Sequence, residues 1–229
     1  MKILALDTAA SLCAAAVYDG ARDAILGAAG ADIGKGHAEV LMDYVAQALA
    51  EAQLAISDMD RIAVNIGPGS FTGVRIGVSA ARGFALALGC PAVGVTAFEA
   101  IAAEAASKEP GRPVMVLLDA HRGEIYAQGF DTAGQPQAGP AIFSRPEAET
   151  LAGSLSADTV LAGSAAPSVN TALAGRFQTA VTAATADIAT YALLAADRSP
   201  GEAPKPLYMR GPDAKPQTGF ALPRRAAGR

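Results

Sequence analysis

Residues 67 to 77 read Gly67-Pro68-Gly69-Ser70-Phe71-Thr72-Gly73-Val74-Arg75-Ile76-Gly77, joining an apolar run at 61–66 to an alanine-rich stretch that ends near 88. Glycine admits backbone paths closed to other residues and lets a neighbouring chain approach closely, while proline fixes its own φ. A strand feeding such a turn and then a helix confines the chain to an α/β architecture. The string is not a Walker A loop, because it lacks the Gly-Lys-Ser/Thr ending, and its glycine spacing differs from the dinucleotide fingerprint. Ser70 or Thr72 supplies the helix N-cap, and the free N–H groups there suit an anion. Arg75 falls in the first turn, where a cation opposes the helix dipole by roughly 0.3–1 kcal/mol, so a carboxylate or phosphate is expected opposite it. Two readings follow: an anion cradle, or a rigid entrance that sets the angle of the helix.

Elsewhere the chain alternates. Apolar runs at 2–7, 12–18 and 21–29 read as strands, the first two runs ending at Asp7-Thr8 and at an Asp19-Gly20 hairpin turn. Helices are expected at 36–52, 73–88 and 96–107, with strands at 61–66 and 92–95. A Pro/Gly-containing linker, 108–113, precedes strands at 114–119 and 124–131. Beyond it the pattern loosens: a strand at 138–143, a helix near 145–155, a strand at 158–162 and a helix at about 185–196. The second half thus begins the first half's pattern again in shortened, incomplete form, giving two related α/β lobes.

The two expected long helices of the first half each have two weakly polar faces. In 73–88, Val74, Val78, Ala81, Ala85 and Leu88 share the core side. The other side carries Ile76, Ala80, Gly83 and Ala87, flanked by Arg75, Ser79 and Arg82. In 36–52, Leu41, Val45, Ala48 and Ala52 point one way, while Glu39, Asp43, Ala46 and Ala50 point the other, with Val40 and Met42 at the sides. A solvated helix shows a polar outer face, so these second faces are read as an association surface, with His37 at its start.

Chemistry is sparse. The two histidines, His37 and His121, stand 84 positions apart with no His-x-x-x-His pair, so no metal is expected. No Gly-x-Ser-x-Gly elbow supports a serine hydrolase. Asp7 and Thr8 end the first strand, where actin-like phosphotransferases hold metal and phosphate, and Asp119 ends the matching strand of the second half. These three are candidates for a degenerate nucleotide site. A stand-alone nucleotide-dependent phosphotransferase or a peptidase is the alternative reading. The net charge of −4 argues against autonomous nucleic-acid binding. Arg210, Lys215, Arg224, Arg225 and Arg229 against Asp213 alone form a basic tail, read as solvated. Cys13 and Cys90 make no disulfide framework and read as buried thiols. No apolar run approaches the roughly 18 residues of a membrane span, and the start lacks a signal pattern, so a cytoplasmic protein is expected.

Together, Ile3-Leu4-Ala5-Leu6-Asp7-Thr8, His37 followed by Leu41, the 67–77 string, Asp119 with Arg122-Gly123-Glu124-Ile125-Tyr126, and Pro206-Leu207-Tyr208-Met209-Arg210 resemble the TsaB (YeaZ) family. The resemblance runs from residue 1 to about 210 and is loosest between 130 and 200. It implies a two-lobed actin-like fold of the acetate/sugar kinase, heat-shock ATPase and actin superfamily, with ribonuclease-H-like lobes and the second lobe reduced. The implied divisions are 1–108 with the partner-binding helices, 109–210, and the tail 211–229. The implied role is a non-catalytic scaffold and activator, a degenerate paralogue of TsaD in the threonylcarbamoylation of the adenosine beside the tRNA anticodon. It would pair with TsaD through first-lobe helices, with TsaE joining and TsaC supplying threonylcarbamoyl-AMP. tRNA would be met only through that complex. No cofactor is implied for the chain alone, with ATP or ADP entering only at the level of the complex, and a homodimer is the alternative in isolation.

Overall fold

The computed structural model describes residues 1–120 and 122–210; His121 and the basic tail 211–229 lie outside the described residues. The first half runs β1 Lys2–Asp7, β2 Leu12–Asp19, β3 Ala24–Asp32, α1 His37–Ala52, β4 Arg61–Asn65, α2 Phe71–Leu88, β5 Ala92–Val95 and α3 Ala97–Lys108. The second runs β6 Val114–Asp119, β7 Glu124–Phe130, β8 Ala141–Ser144, α4 Arg145–Gly153, β9 Val160–Ala162, α5 Ala166–Ala172, β10 Gln178–Ala180 and α6 Ile188–Ala196.

The two five-stranded sheets are ordered β3-β2-β1-β4-β5 and β8-β7-β6-β9-β10. In each, only the second strand runs against the others. The second half therefore repeats every strand and helix of the first, which corrects the expectation of an incomplete lobe. It is reduced in length, with helices of 9, 7 and 9 residues against 16, 18 and 12. The elements absent from the sequence reading are α5 and β10, a helix of seven residues opening on proline and a strand of three. Neither is long enough to show a period.

Strands buried on both faces read as continuous apolar runs rather than alternating ones. In β1, Ile3 and Ala5 face a central core, while Leu4 and Leu6 face the outer layer of α1 and α2. In β6, Val114, Val116 and Leu118 face the same central core, and Met115 and Leu117 face α4 and α5. The closing helices are exchanged. α3 lies on β6 and β9 of the second sheet, α6 lies on β2, β1, β4 and β5 of the first, and the two helices touch. Phe98 and Ile101 of α3 meet Tyr191 and Ala192 of α6 in this layer, all without solvent exposure. Arg61, at the start of β4, fastens the exchange: its guanidinium donates to the carbonyls of Ala195, Ala196 and Arg198 at the end of α6. The last carbonyls of a helix carry the negative end of its dipole, which is why a cation sits well there, although the Ala195 carbonyl also accepts from the Asp197 amide.

Two local expectations need correction. The β2–β3 connection is a four-residue turn, 20–23, because Asp19 pairs with Ala24; the Asp19 carboxylate accepts from the Ala21 amide (2.9 Å) and opens the turn as an Asx cap. And α2, with a mean hydropathy of 1.2 over 18 residues, is long and apolar enough to cross a membrane by length and composition, which a search for uninterrupted apolar runs overlooks. Its alanines and glycines produce that value around Arg75 and Arg82, and one side of it packs on the first sheet through Val74, Val78 and Ala81.

Candidate functional site

Asp7 is fully buried at the end of β1. One carboxylate oxygen accepts from the Ala9 amide (2.9 Å) and from Asn65 Nδ2 (3.0 Å); the other accepts from the Thr185 hydroxyl. Asn65 Nδ2 also donates to the Tyr191 hydroxyl (2.8 Å), which lies 2.6 Å from Thr185 Oγ1. The network is closed by protein groups from β1, β4, the 185 turn and α6. Burial pushes the Asp7 carboxyl above the usual carboxylate range, against the three hydrogen bonds, which favour the charged form. Burial, and then the Asp7 charge, hold the Tyr191 phenol well above its ordinary value. The same two causes push the Cys13 thiol up to about 11. Thr8, also fully buried, donates to the Gly73 carbonyl (2.7 Å). Asp119 holds the corresponding place at the end of β6 but is exposed, its amide donating to Ser164 Oγ (3.0 Å).

Sequence reasoning missed Asn65, Thr185 and Tyr191. Asn65 carried a signal, being a polar residue that closes the apolar run Ile62-Ala63-Val64. The other two lie more than 100 residues away in sequence and carried none.

The Gly67–Gly77 turn is held by the chain itself. The Gly67 amide donates to Asn65 Oδ1 (2.8 Å), the Ser70 amide to the Ala9 carbonyl (2.7 Å), and the Gly73 amide to Ser70 Oγ (3.3 Å), which makes Ser70 the N-cap. The Gly67–Pro68 peptide is cis. A Cβ at Gly69 would lie 2.1 Å from the Ala9 carbonyl oxygen, one at Gly73 2.1 Å from that of Thr8, and one at Gly77 2.6 Å from Thr8 Oγ1. These glycines bring α2 down onto the β1–β2 turn. Thr72, the other N-cap candidate, is exposed. Arg75 meets aromatic rings where a carboxylate or phosphate was expected. Its guanidinium stacks 3.5 Å over the exposed Phe71 ring, and its Nε donates to Tyr208 Oη (2.8 Å).

Of the residues assigned to the association surface, Ala46, Ala50, Ser79, Arg82, Gly83 and Ala87 are exposed, and Val40, Ile76 and Ala80 are half-buried against the outer core. His37 does not belong to that surface. It shares a helix face with Leu41, Val45 and Ala48, one and more turns on, and is buried with its Nε2 unpartnered. The surface also carries two large exposed apolar side chains, Met42 (46% exposed), expected at the side of α1, and Leu86 (86%), not singled out from sequence. Its charges are segregated: α1 holds Glu39, Asp43 and Glu51 with no Lys or Arg, and α2 holds Arg75 and Arg82 with no acid. Among the described residues, no group of three or more His, Cys, Asp or Glu is placed to hold a metal ion.

Residues 27–200 match the family described as TsaD, tRNA N6-adenosine threonylcarbamoyltransferase. The chain is 34% identical over 126 residues to the tRNA threonylcarbamoyladenosine biosynthesis protein TsaB of Escherichia coli, covering 55% of this chain and 53% of that protein. It is 35% identical over 159 residues to an uncharacterized protein of Mycobacterium leprae, covering 66% of this chain and 43% of that protein. The chain thus spans about half the length of these curated relatives. Among solved structures, YeaZ from Pseudomonas aeruginosa superposes with a TM-score of 0.71 at 26% identity, covering 86% of this chain and 92% of that one. A second P. aeruginosa structure, described as similar to peptidase YEAZ, gives 0.72 at 28% identity, covering 91% and 99%. By this match over most of its length, and by its likeness to TsaB and YeaZ, the chain belongs to the tRNA N6-adenosine threonylcarbamoyltransferase (TsaD) family, on its TsaB (YeaZ) side.

Proposed function

We propose that the chain serves tRNA threonylcarbamoyladenosine biosynthesis as a non-catalytic subunit that docks on TsaD through the outer faces of α1 and α2. The observation that carries this reading is the closed network around Asp7. The carboxylate that would face metal and phosphate in an actin-like phosphotransferase is consumed by Asn65, Thr185 and a backbone amide. The turn beside it is occupied by the chain's own backbone. What remains on offer is an outer helical layer of small and apolar residues, and exposed apolar faces of this kind seek cover. TsaE and TsaC would act with the pair, and nucleotide would enter only through the complex.

The test is reconstitution of tRNA modification with TsaC, TsaD and TsaE, with and without this chain, together with co-purification of the Gly83→Trp variant. A Cβ at Gly83 meets nothing within 4 Å, so the indole would sit on the surface and leave the fold intact. Modification that depends on the chain, and pairing with TsaD lost in Gly83→Trp, are the expected results. Full modification without the chain, or unchanged pairing, overturns the reading. The acids of α1 and the arginines of α2 also favour a second copy on the same face when TsaD is absent, in the two-fold arrangement that sets α1 of each copy against α2 of the other. Sedimentation of the isolated chain across concentration decides that point.

A further inference from the structure

The segment Pro206-Leu207-Tyr208-Met209-Arg210 takes no part in the Asp7 network or in the α1/α2 face, yet its contacts reach both halves of the molecule. Pro204, just before it, is buried against Gly94 of β5. The Leu207 amide donates to the Ile66 carbonyl (2.8 Å), immediately after β4. Tyr208 accepts from Arg75, the fifth residue of α2 and so just past the first turn expected from the sequence, and lies 5.7 Å from the Phe71 ring. Arg210 then crosses to the other lobe. It donates to the Ala120 carbonyl (2.9 Å), pairs with the Glu124 carboxylate, and sits 5.8 Å from the centre of the Tyr126 ring. Leu207 and Met209 pack into the central core between these anchors.

We propose that residues 204–210 form a clasp across the mouth between the lobes, at the carboxyl ends of β4 and β6, and that it fixes the head of α2. Arg210 lies three steps along the chain from Leu207, a span of at most about 11 Å when extended. The lobes therefore cannot part at this mouth by several ångströms without releasing an anchor. The carboxyl ends of parallel strands are where α/β sheets open their ligand crevices. The clasp lies across that opening. It also couples the second lobe to Phe71 and Arg75, so Tyr208 and Arg210 are positioning residues for α2.

Hydrogen–deuterium exchange on the isolated chain tests this, because the deleted contact and the reporting amides lie in different lobes. Arg210→Ala removes only second-lobe anchors. It should speed exchange of the Leu207 amide and of 66–75 in the first lobe by tenfold or more while melting stays cooperative. Tyr208→Phe should in turn speed exchange at 120–126. Lys205→Ala, which removes an exposed side chain paired with Glu202 and none of the anchors, should change neither. Faster exchange confined to the lobe that lost its contact, or no change, overturns the clasp. Should Arg210→Ala fail to fold, Glu124→Gln reads the same remote effect. No partner is used, so the failure of TsaD docking would leave this result untouched.

Discussion

A graded series of alanines along α2 tests whether the glycine string exists to let the helix approach the β1–β2 turn. At Gly73 the new Cβ would stand 2.1 Å from the Thr8 carbonyl oxygen, where ordinary contact begins near 3.4 Å, so helix and turn must separate by about 1.3 Å (3.4 − 2.1). Overpacking of this kind costs about 1–3 kcal/mol or more. Losing the Thr8–Gly73 hydrogen bond adds about 1 kcal/mol. The gain in helix propensity returns only about 0.8–1 kcal/mol. Gly73→Ala should therefore destabilise by about 1–3 kcal/mol. At Gly77 the obstacle is the Thr8 hydroxyl, a side-chain atom that can give, and the cost should be about half as large. At Gly83 the space is open, and alanine should stabilise by up to about 1 kcal/mol. Urea unfolding followed by far-ultraviolet circular dichroism suits a chain without tryptophan. Thr8→Ala in the Gly77→Ala background should recover about 1 kcal/mol relative to the sum of the single changes, because the two positions share one contact. Gly73→Ala within about 0.5 kcal/mol of the parent, or Gly83→Ala as damaging as Gly73→Ala, would refute the close-approach argument.

The Asp7 network makes a pH-dependent prediction. Burial raises the folded carboxyl above the usual 3.8, so between that value and the raised one the folded chain holds a proton the unfolded chain has released. Stability should be highest on the acid side of this window and fall as pH rises through it, by at most about 1.4 kcal/mol per unit. Asp7→Asn should flatten this contribution in urea melts and stay within about 1 kcal/mol of the parent at pH 7, since the amide can still accept from Ala9 and Asn65. Asp7→Ala strands those donors and should cost about 3 kcal/mol; equal losses in the two variants would count against the network. Arg61→Met should cost about 2–3 kcal/mol by freeing the three carbonyls at the end of α6. Its exchange effect should fall on 188–198, and an effect limited to β4 would contradict the fastening role.

The first half was largely legible because its elements are long enough to show their period. The core side of α2 followed from Val74, Val78 and Ala81, and all three are buried. The exposed side was legible only in part. Leu86 and Phe71 were not read as surface residues, because an apolar residue on an alanine-rich helix could belong to either face. His37 was placed outward although its spacing to Leu41 and Val45 put it inward, a clash the helical period could have settled. In the second half, α5 and β10 were too short to leave a pattern. Exchange of α3 and α6 between the sheets left no local trace at all, since an apolar helix face does not say which of the two sheets it covers.

That exchange explains why the two equivalent aspartates differ. Asp7 and Asp119 each close the first strand of a lobe, but the helix over each strand end comes from the opposite half. The fourth residue of α6 is Tyr191, and the turn before that helix brings Thr185; together with Asn65 they surround Asp7 with donors. The fourth residue of α3 is Ala100, which has no hydroxyl to bring toward the second sheet. A carboxyl is buried at tolerable cost only where donors are delivered to it, and at Asp7 the second half delivers them. Asp119, at the matching strand end, is exposed. It also follows that the first lobe's strand end cannot be completed by the first lobe alone: two of the groups that close it are delivered by the last helical segment of the second.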